Sequence, residues 1–419
     1  MNPMQEQQLN HLTARMALLG IPAVRWVIVS CLLANVGAGM VLLTMSWTVV
    51  NEHASVSALA GLMVCFWLPS LLLAPAIGLL VDRVDRRHIV MATKILRVVA
   101  LVAAAALYVR HPGVAALMAL AFLMGSCAAL YTPALLAMVR ELVDDSRLLH
   151  ANSTVDIAFE VGFIVGMPIS GALMMVASPA TVLLITAGLF AAAFLCLLFV
   201  RKEHLEFRCD PTSKGSYWQD TRDGVRYLLS EHRLVLLYSI QMLVYVTLMT
   251  TSILLAPFAK AVLDLSSGQF GAIEASLSVG AVVGAFVLPA AATRWGYGPS
   301  LVAATLVMAV SFTIFALTSS FWKAFFLYFV IGTCLAAWPV VTTAAQRLTE
   351  KGMQGRVQTA ANAVSSALIL AMYGLVGGAG AHVSIRWSYA SVVIISAMAC
   401  VIAYYAYFVC KEPVADEPA

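Results

Sequence analysis

GLLVDRVDRR, residues 78–87, crowds five charges into the six positions Asp82 to Arg87, between two long apolar runs. Only 11% of the whole chain is charged. The runs on either side, 57–81 and 88–109, both exceed the roughly 20 residues needed to cross a bilayer as a helix. Ten more runs of that kind follow the same rule: 26–49, 113–136, 154–176, 179–200, 234–258, 268–291, 299–319, 322–343, 357–379 and 387–409. A spanning segment must satisfy its own backbone hydrogen bonds, so each is expected to be a helix. Period-two alternation is missing from all of them, which excludes a membrane barrel. The charged loop therefore reads as a hairpin between spans two and three.

The composition points the same way. Of 419 residues, 62% are hydrophobic, and the mean hydropathy is +0.91. Soluble domains carry about 25% charged residues. One buried core cannot account for such a deficit, whereas a lipid-facing surface can. The first span is too long for a signal-peptide core, and eleven similar spans follow it.

Basic residues resist translocation, so their distribution fixes orientation. With a cytoplasmic N-terminus, only Arg110, Lys260, Lys323 and Arg386 of the 25 Lys and Arg fall on the outer side. Both termini are then cytoplasmic, and loop 78–87 is an inside loop. The eight cysteines avoid outer loops and form no CxxC, so neither a disulfide framework nor a zinc site is expected. The expected organisation is a tail at 1–22, six spans over 23–200, a cytoplasmic loop at 201–233, six spans over 234–410 and a tail at 411–419. Within the loop, Trp218, Val225, Leu228 and Leu229 are spaced for a short amphipathic helix. The halves repeat weakly: RELVDDSRLLHANS at 140–153 answers RLTEKGMQGRVQTAANA at 347–363. Such internal symmetry marks many transporters.

Four stretches carry a family resemblance. Residues 78–87 resemble the loop signature of the major facilitator superfamily, with Asp85 where the signature usually has glycine. That variant is similar to the third drug:proton antiporter family, which includes macrolide efflux and enterobactin-exporter-like proteins. Residues 162–171, GFIVGMPISG, resemble the antiporter signature of span five, with Gly162, Gly166, Pro168 and Gly171 in place. DGVRYL at 223–228 and Gly355-Arg356-Val357 resemble supporting segments before spans seven and eleven.

The resemblance implies an all-α membrane protein with 12 transmembrane helices in two pseudo-symmetric six-helix bundles, the major facilitator fold. It implies that Gly78, Asp82, Arg83, Arg86 and Arg87 form a conformational latch. In that latch Asp82 meets the N-terminus of span eleven, where free N–H groups favour an anion, and Arg86 pairs with Asp82. Gly162, Gly166 and Ser170 share one small face. That face reads either as a seal between halves or as plain close packing. Gly280 and Gly284 on span eight make a similar face, read as packing.

Charges within spans are costly and mark function by default. Lys94 and Asp156 lie near enough to the cytoplasmic face to snorkel. An Arg97–Glu160 pair is one reading of the next two. Glu274, with no basic residue beside it on span eight, is the leading coupling candidate, ahead of Glu160 and Arg97. The superfamily's basic signature on span four is absent, since residues 117–132 contain no Arg. By analogy, the candidate substrate contacts are Asn35, Tyr131, Gln241, Tyr245 and Trp338, with a lipid-facing or packing role the other reading of each.

The expected function is secondary active export of a small amphipathic molecule, a siderophore or a drug, across the bacterial inner membrane by proton antiport. No cofactor beyond the proton gradient, no metal and no nucleic acid is expected. The expected partners are the lipid bilayer, the small-molecule substrate and an outer-membrane or periplasmic export partner, with the protein itself monomeric. Uptake or lysophospholipid flipping by the same fold is the alternative, and a membrane sensor or structural subunit is the alternative from another class. HExxH, GxSxG and GxxxxGK[ST] are all missing, so an enzyme is not expected.

Overall fold

The computed structural model describes residues 20–53, 56–73, 80, 84–111, 113–143, 145–200, 217–350, 353–379 and 383–409. No strand occurs among the described residues. Helices α1 (Pro22–His53), α2 (Val56–Leu72), α3 (Arg86–Arg110), α4 (Val114–Leu142), α5 (Asp145–Leu173) and α6 (Pro179–Leu198) supply the first six spans. The amphipathic helix of the central loop is α7 (Tyr217–Ser230). Spans seven to nine are α8 (His232–Ala261), α9 (Ser267–Trp295) and α10 (Tyr297–Leu317). Span ten is broken into α11 (Phe321–Leu335) and α12 (Ala337–Leu348). Span eleven is α13 (Gln354–Ala379), and span twelve is α14 (Ile385–Tyr404) with a closing π-helical turn, Tyr405–Val409.

Eleven of these spans are long and apolar enough to cross a membrane, counting α11 and α12 as one. The twelfth, α2, is a shorter apolar helix of 17 residues, and residues 74–79 after it lie outside the described residues. The break in span ten has a backbone cause. Pro339 has no N–H, so the carbonyl of Leu335 loses its helical donor. The turn from α9 to α10 rests on Gly296 at φ +90°, a conformation open to glycine at little cost. Ser266 and Gln269 cap α9 reciprocally, side chain to backbone in both directions.

The chain divides into two units, residues 1–45 with 65–214, and 46–64 with 215–419. In the first, α3 packs on α4 and α6. In the second, α10 packs on α11 and α14, which is the same neighbour pattern one half later. Glycines set the closest approaches. A Cβ on Gly125 of α4 would lie 1.9 Å from the Phe66 carbonyl oxygen of α2. In the second unit, one on Gly332 would lie 1.9 Å from that of Leu277, and one on Gly280 2.0 Å from that of Phe329. Gly280 and Gly284 thus serve close packing of α9 on α11, as their spacing predicts.

Helix α3 of the first unit separates its apolar and charged residues by face. Ile95, Val99 and Val102 are exposed, whereas Lys94, Arg97 and Leu101 are buried. Oil outside and charge inside is the arrangement a bilayer demands, because lipid offers a charged group nothing and an apolar one no penalty.

Candidate functional site

At the start of α3 in the first unit, Asp85 caps the helix, its carboxylate accepting from the Arg87 N–H at 2.9 Å. The same carboxylate lies 3.1 Å from His88 Nδ1. Arg86 Nη1 donates to Glu141 Oε1 on α4 at 2.7 Å, with both side chains largely buried. Arg87 Nη2 donates to the Leu197 carbonyl on α6 at 3.2 Å. Arg86 and Arg87 therefore staple α3 to its neighbours inside one unit. Sequence reasoning passed over Glu141; its place at the C-terminal end of span four, next to Arg140, was the signal to find it. Gly78, Asp82 and Arg83 lie outside the described residues.

The small face of α5 is filled by α1 of the same unit. A Cβ on Gly162 would come within 2.7 Å of the Leu32 oxygen, and one on Gly166 within 2.1 Å of the Val36 oxygen. Ser170 Oγ donates to the Met40 carbonyl at 3.1 Å and shares a hydrogen bond with Thr44 Oγ1 at 2.8 Å. Within the first unit this face serves close packing of α5 on α1. Pro168 and Gly171 continue the same helix, Gly171 buried and Pro168 half-buried.

Asn35 and Tyr131, expected to contact substrate, are core residues of the first unit. Asn35 donates to the Cys31 carbonyl at 2.9 Å, and Tyr131 is buried against Phe159, Lys94 and Arg97. Two other expectations are corrected here. Lys94 does not snorkel, being 0% exposed. Arg97 does not pair with Glu160, since the arginine is buried among rings while Glu160 and Asp156 occupy the exposed face of α5.

In the second unit the expected residues come together better. Tyr245 on α8 and Trp338 on α12 pack ring to ring, centroids 4.8 Å apart. Gln241, one turn from Tyr245, is buried with its Oε1 unpartnered. The break in span ten is what delivers Trp338 to this place. Glu274 on α9 is half-buried, and among the described residues no cation or hydrogen-bond donor is set against its carboxylate. Tyr328 of α11 and Tyr389 of α14 lie within its electrostatic reach. Both tyrosines are buried around Phe315, at 4.9 Å and 5.3 Å between ring centroids. Neither was legible from spacing, because an aromatic residue in an apolar run gives no sign of which way it faces.

The motifs DGVRYL and Gly355-Arg356-Val357 meet. Asp223 Oδ2 is 3.7 Å from Arg356 Nη1. A Cβ on Gly224 would lie 2.2 Å from the Arg356 carbonyl oxygen, so α7 rests its backbone directly on the start of α13. Among the described residues, no group of three or more His, Cys, Asp or Glu is placed to hold a metal.

The family profile of the Major Facilitator Superfamily matches residues 27–251 and 237–419. The chain belongs to this superfamily. Its relatives and fold neighbours are membrane transporters, not enzymes. As a major facilitator protein it is 29% identical over 177 residues to the uncharacterized MFS-type transporter YfiS of Bacillus subtilis (strain 168), across 42% of each chain. It is 25% identical over 188 residues to the multidrug efflux pump Tap of Mycolicibacterium fortuitum, across 42% of this chain and 45% of that one. The match therefore spans less than half the length of either relative. A crystal structure of a variant of the nucleoside transporter NupG superposes with a TM-score of 0.75 at 11% identity, covering 92% of this chain and 100% of that one. At that identity the likeness shows the major facilitator fold alone.

Proposed function

We propose that this protein is a secondary active exporter that moves a small amphipathic organic molecule, a drug or a siderophore, out of the cell by alternating access with proton antiport. The observation that carries the reading is Glu274, a carboxylate inside a membrane span with no cation set against it among the described residues. Such a group is charged without its proton and neutral with it. The two forms favour different surroundings, so proton exchange biases a two-state equilibrium. A likeness to a multidrug efflux pump supports outward transport. The Tyr245–Trp338 pair with Gln241 beside it suits an amphipathic substrate, offering ring faces and one orienting amide. The scarcity of Lys and Arg in the outer loops supports a cytoplasmic-membrane protein with both termini inside.

The test is transport by the purified full chain in liposomes, with ethidium as probe and an imposed pH gradient. Export by proton antiport gives ethidium movement opposite to the proton flow and abolished by a protonophore. Movement that persists undiminished without the gradient contradicts antiport, and movement in the same direction as the protons contradicts export.

A further inference from the structure

Lys94 and Arg97 stand three residues apart on α3 and both turn into the first unit, 0% and 4% exposed. Lys94 Nζ lies 4.5 Å from the ring centroid of Tyr131. Arg97 Cζ lies 5.2 Å from the rings of Tyr131 and Phe190. Among the described residues Lys94 Nζ, Arg97 Nε and the Tyr131 hydroxyl, itself on a 2% exposed residue, have no oxygen or nitrogen partner; only thiols approach, Cys31 at the Tyr131 hydroxyl and Cys127 at the Arg97 guanidinium.

Among the described residues, the groups around them supply no counter-charge. Cys31 on α1, Cys127 on α4 and Cys196 on α6 are the titratable side chains in electrostatic reach, and thiols are weak acceptors. The Asn35 side-chain N–H donates to the Cys31 carbonyl, and its amide carries no charge. The nearest acids along α5, Asp156 and Glu160, face outward. A ring face offsets only part of the hydration a buried cation gives up. What the cluster presents is a lysine, an arginine and a phenol closed to solvent, without an acceptor of matching strength among the described residues.

We propose that Lys94, Arg97 and the Tyr131 hydroxyl bind a small monovalent anion, a halide or a carboxylate. One acceptor shared by the ammonium, the guanidinium and the phenol satisfies donors from α3 and α4 at once and lowers the repulsion between the cations. Closure of the cluster restricts the ligand to a small group, either a free ion or the carboxylate end of a larger molecule. Binding at this place is independent of the direction of transport and of Glu274.

The experiment is thermal unfolding of the purified full chain in nanodiscs, in sodium chloride, sodium acetate or sodium gluconate at equal ionic strength. Chloride or acetate raises Tm saturably above gluconate by about 2 °C or more, as a ligand selective for the folded state does. Lys94→Met and Arg97→Met lose the rise, while Lys323→Gln, at an exposed outer position, keeps it. Benzoate separates the sources: competition with chloride shows that a carboxylate on a larger body enters, and no competition shows a free ion. Equal Tm in the three salts, or an undiminished rise in Lys94→Met, overturns the site. Should the variants not fold, chloride-35 line broadening by the wild-type protein, reversed by acetate, decides the matter, and its absence overturns the proposal.

Discussion

Gly166→Ala adds one methyl group at the tightest point of the α5 face. The new carbon would lie 2.1 Å from the Val36 carbonyl oxygen and 2.9 Å from its carbonyl carbon. The oxygen is more than 1 Å short of ordinary van der Waals contact and belongs to a helix backbone, which cannot rotate away as a side-chain tip can. Either α1 and α5 move apart by about that amount, or α5 rolls and breaks the Ser170–Met40 and Ser170–Thr44 hydrogen bonds one turn on. Overpacking of this kind costs about 1–3 kcal/mol. For a unit of this size that lowers Tm by about 2–10 °C. Gly188→Ala is the matched control: nothing lies within 4 Å of its added carbon, and exchanging a mid-helix glycine for alanine favours the helix by up to about 1 kcal/mol. Scanning fluorimetry of both variants in detergent reads the difference. A Gly166→Ala protein as stable as the wild type, or a Gly188→Ala protein damaged as much, refutes the reasoning that backbone contact fixes this helix pair.

The Arg86–Glu141 pair is predicted to couple by about 1–3 kcal/mol in a double-mutant cycle with alanine, read by thermal unfolding, because both ends are largely buried. A coupling near zero would show that Arg86 acts through its other contacts. The exposed Asp223–Arg356 pair is expected to contribute no more than about 1 kcal/mol when either side is replaced. Gly224→Val, in contrast, should lift α7 from α13 and speed tryptic cleavage after Arg226, seen on a gel as a pair of half-length fragments. Tyr245→Ala and Trp338→Ala should each raise the KM for ethidium about 3- to 10-fold, the loss of one aromatic contact, with unfolding temperatures reporting whether the fold survives.

The spans, the loop helix and the glycine faces were legible because each depends on local pattern: run length, amphipathic spacing, small residues four apart. The partner of a face was not. Gly162, Gly166 and Ser170 announce close contact, but nothing in their spacing says that α1 rather than the other half supplies it. Arg97 and Glu160 are complementary in charge and similar in depth, yet α5 turns the acid outward and α3 turns the base inward. Helix rotation about its own axis decides that, and one sequence of nearly uniform apolar residues marks it weakly. Asn35 and Tyr131 were assigned to a cavity wall by analogy between span numbers, and their spacing does not show that both side chains are buried in the first unit. Tyr245 and Trp338 were assigned by the same analogy, and the break in span ten, which brings their rings together, was not read from the sequence.

Gradient-driven transport and substrate counterflow separate coupling from binding, and comparing them in Glu274→Gln tests the central claim most directly. In liposomes with ethidium, the account predicts that the variant keeps counterflow, which needs only a working binding site and alternation, and loses accumulation driven by a pH gradient, while Glu274→Asp retains part of it. A Glu274→Gln protein that still accumulates ethidium against its gradient at the wild-type level would contradict the assignment of the coupling proton to α9.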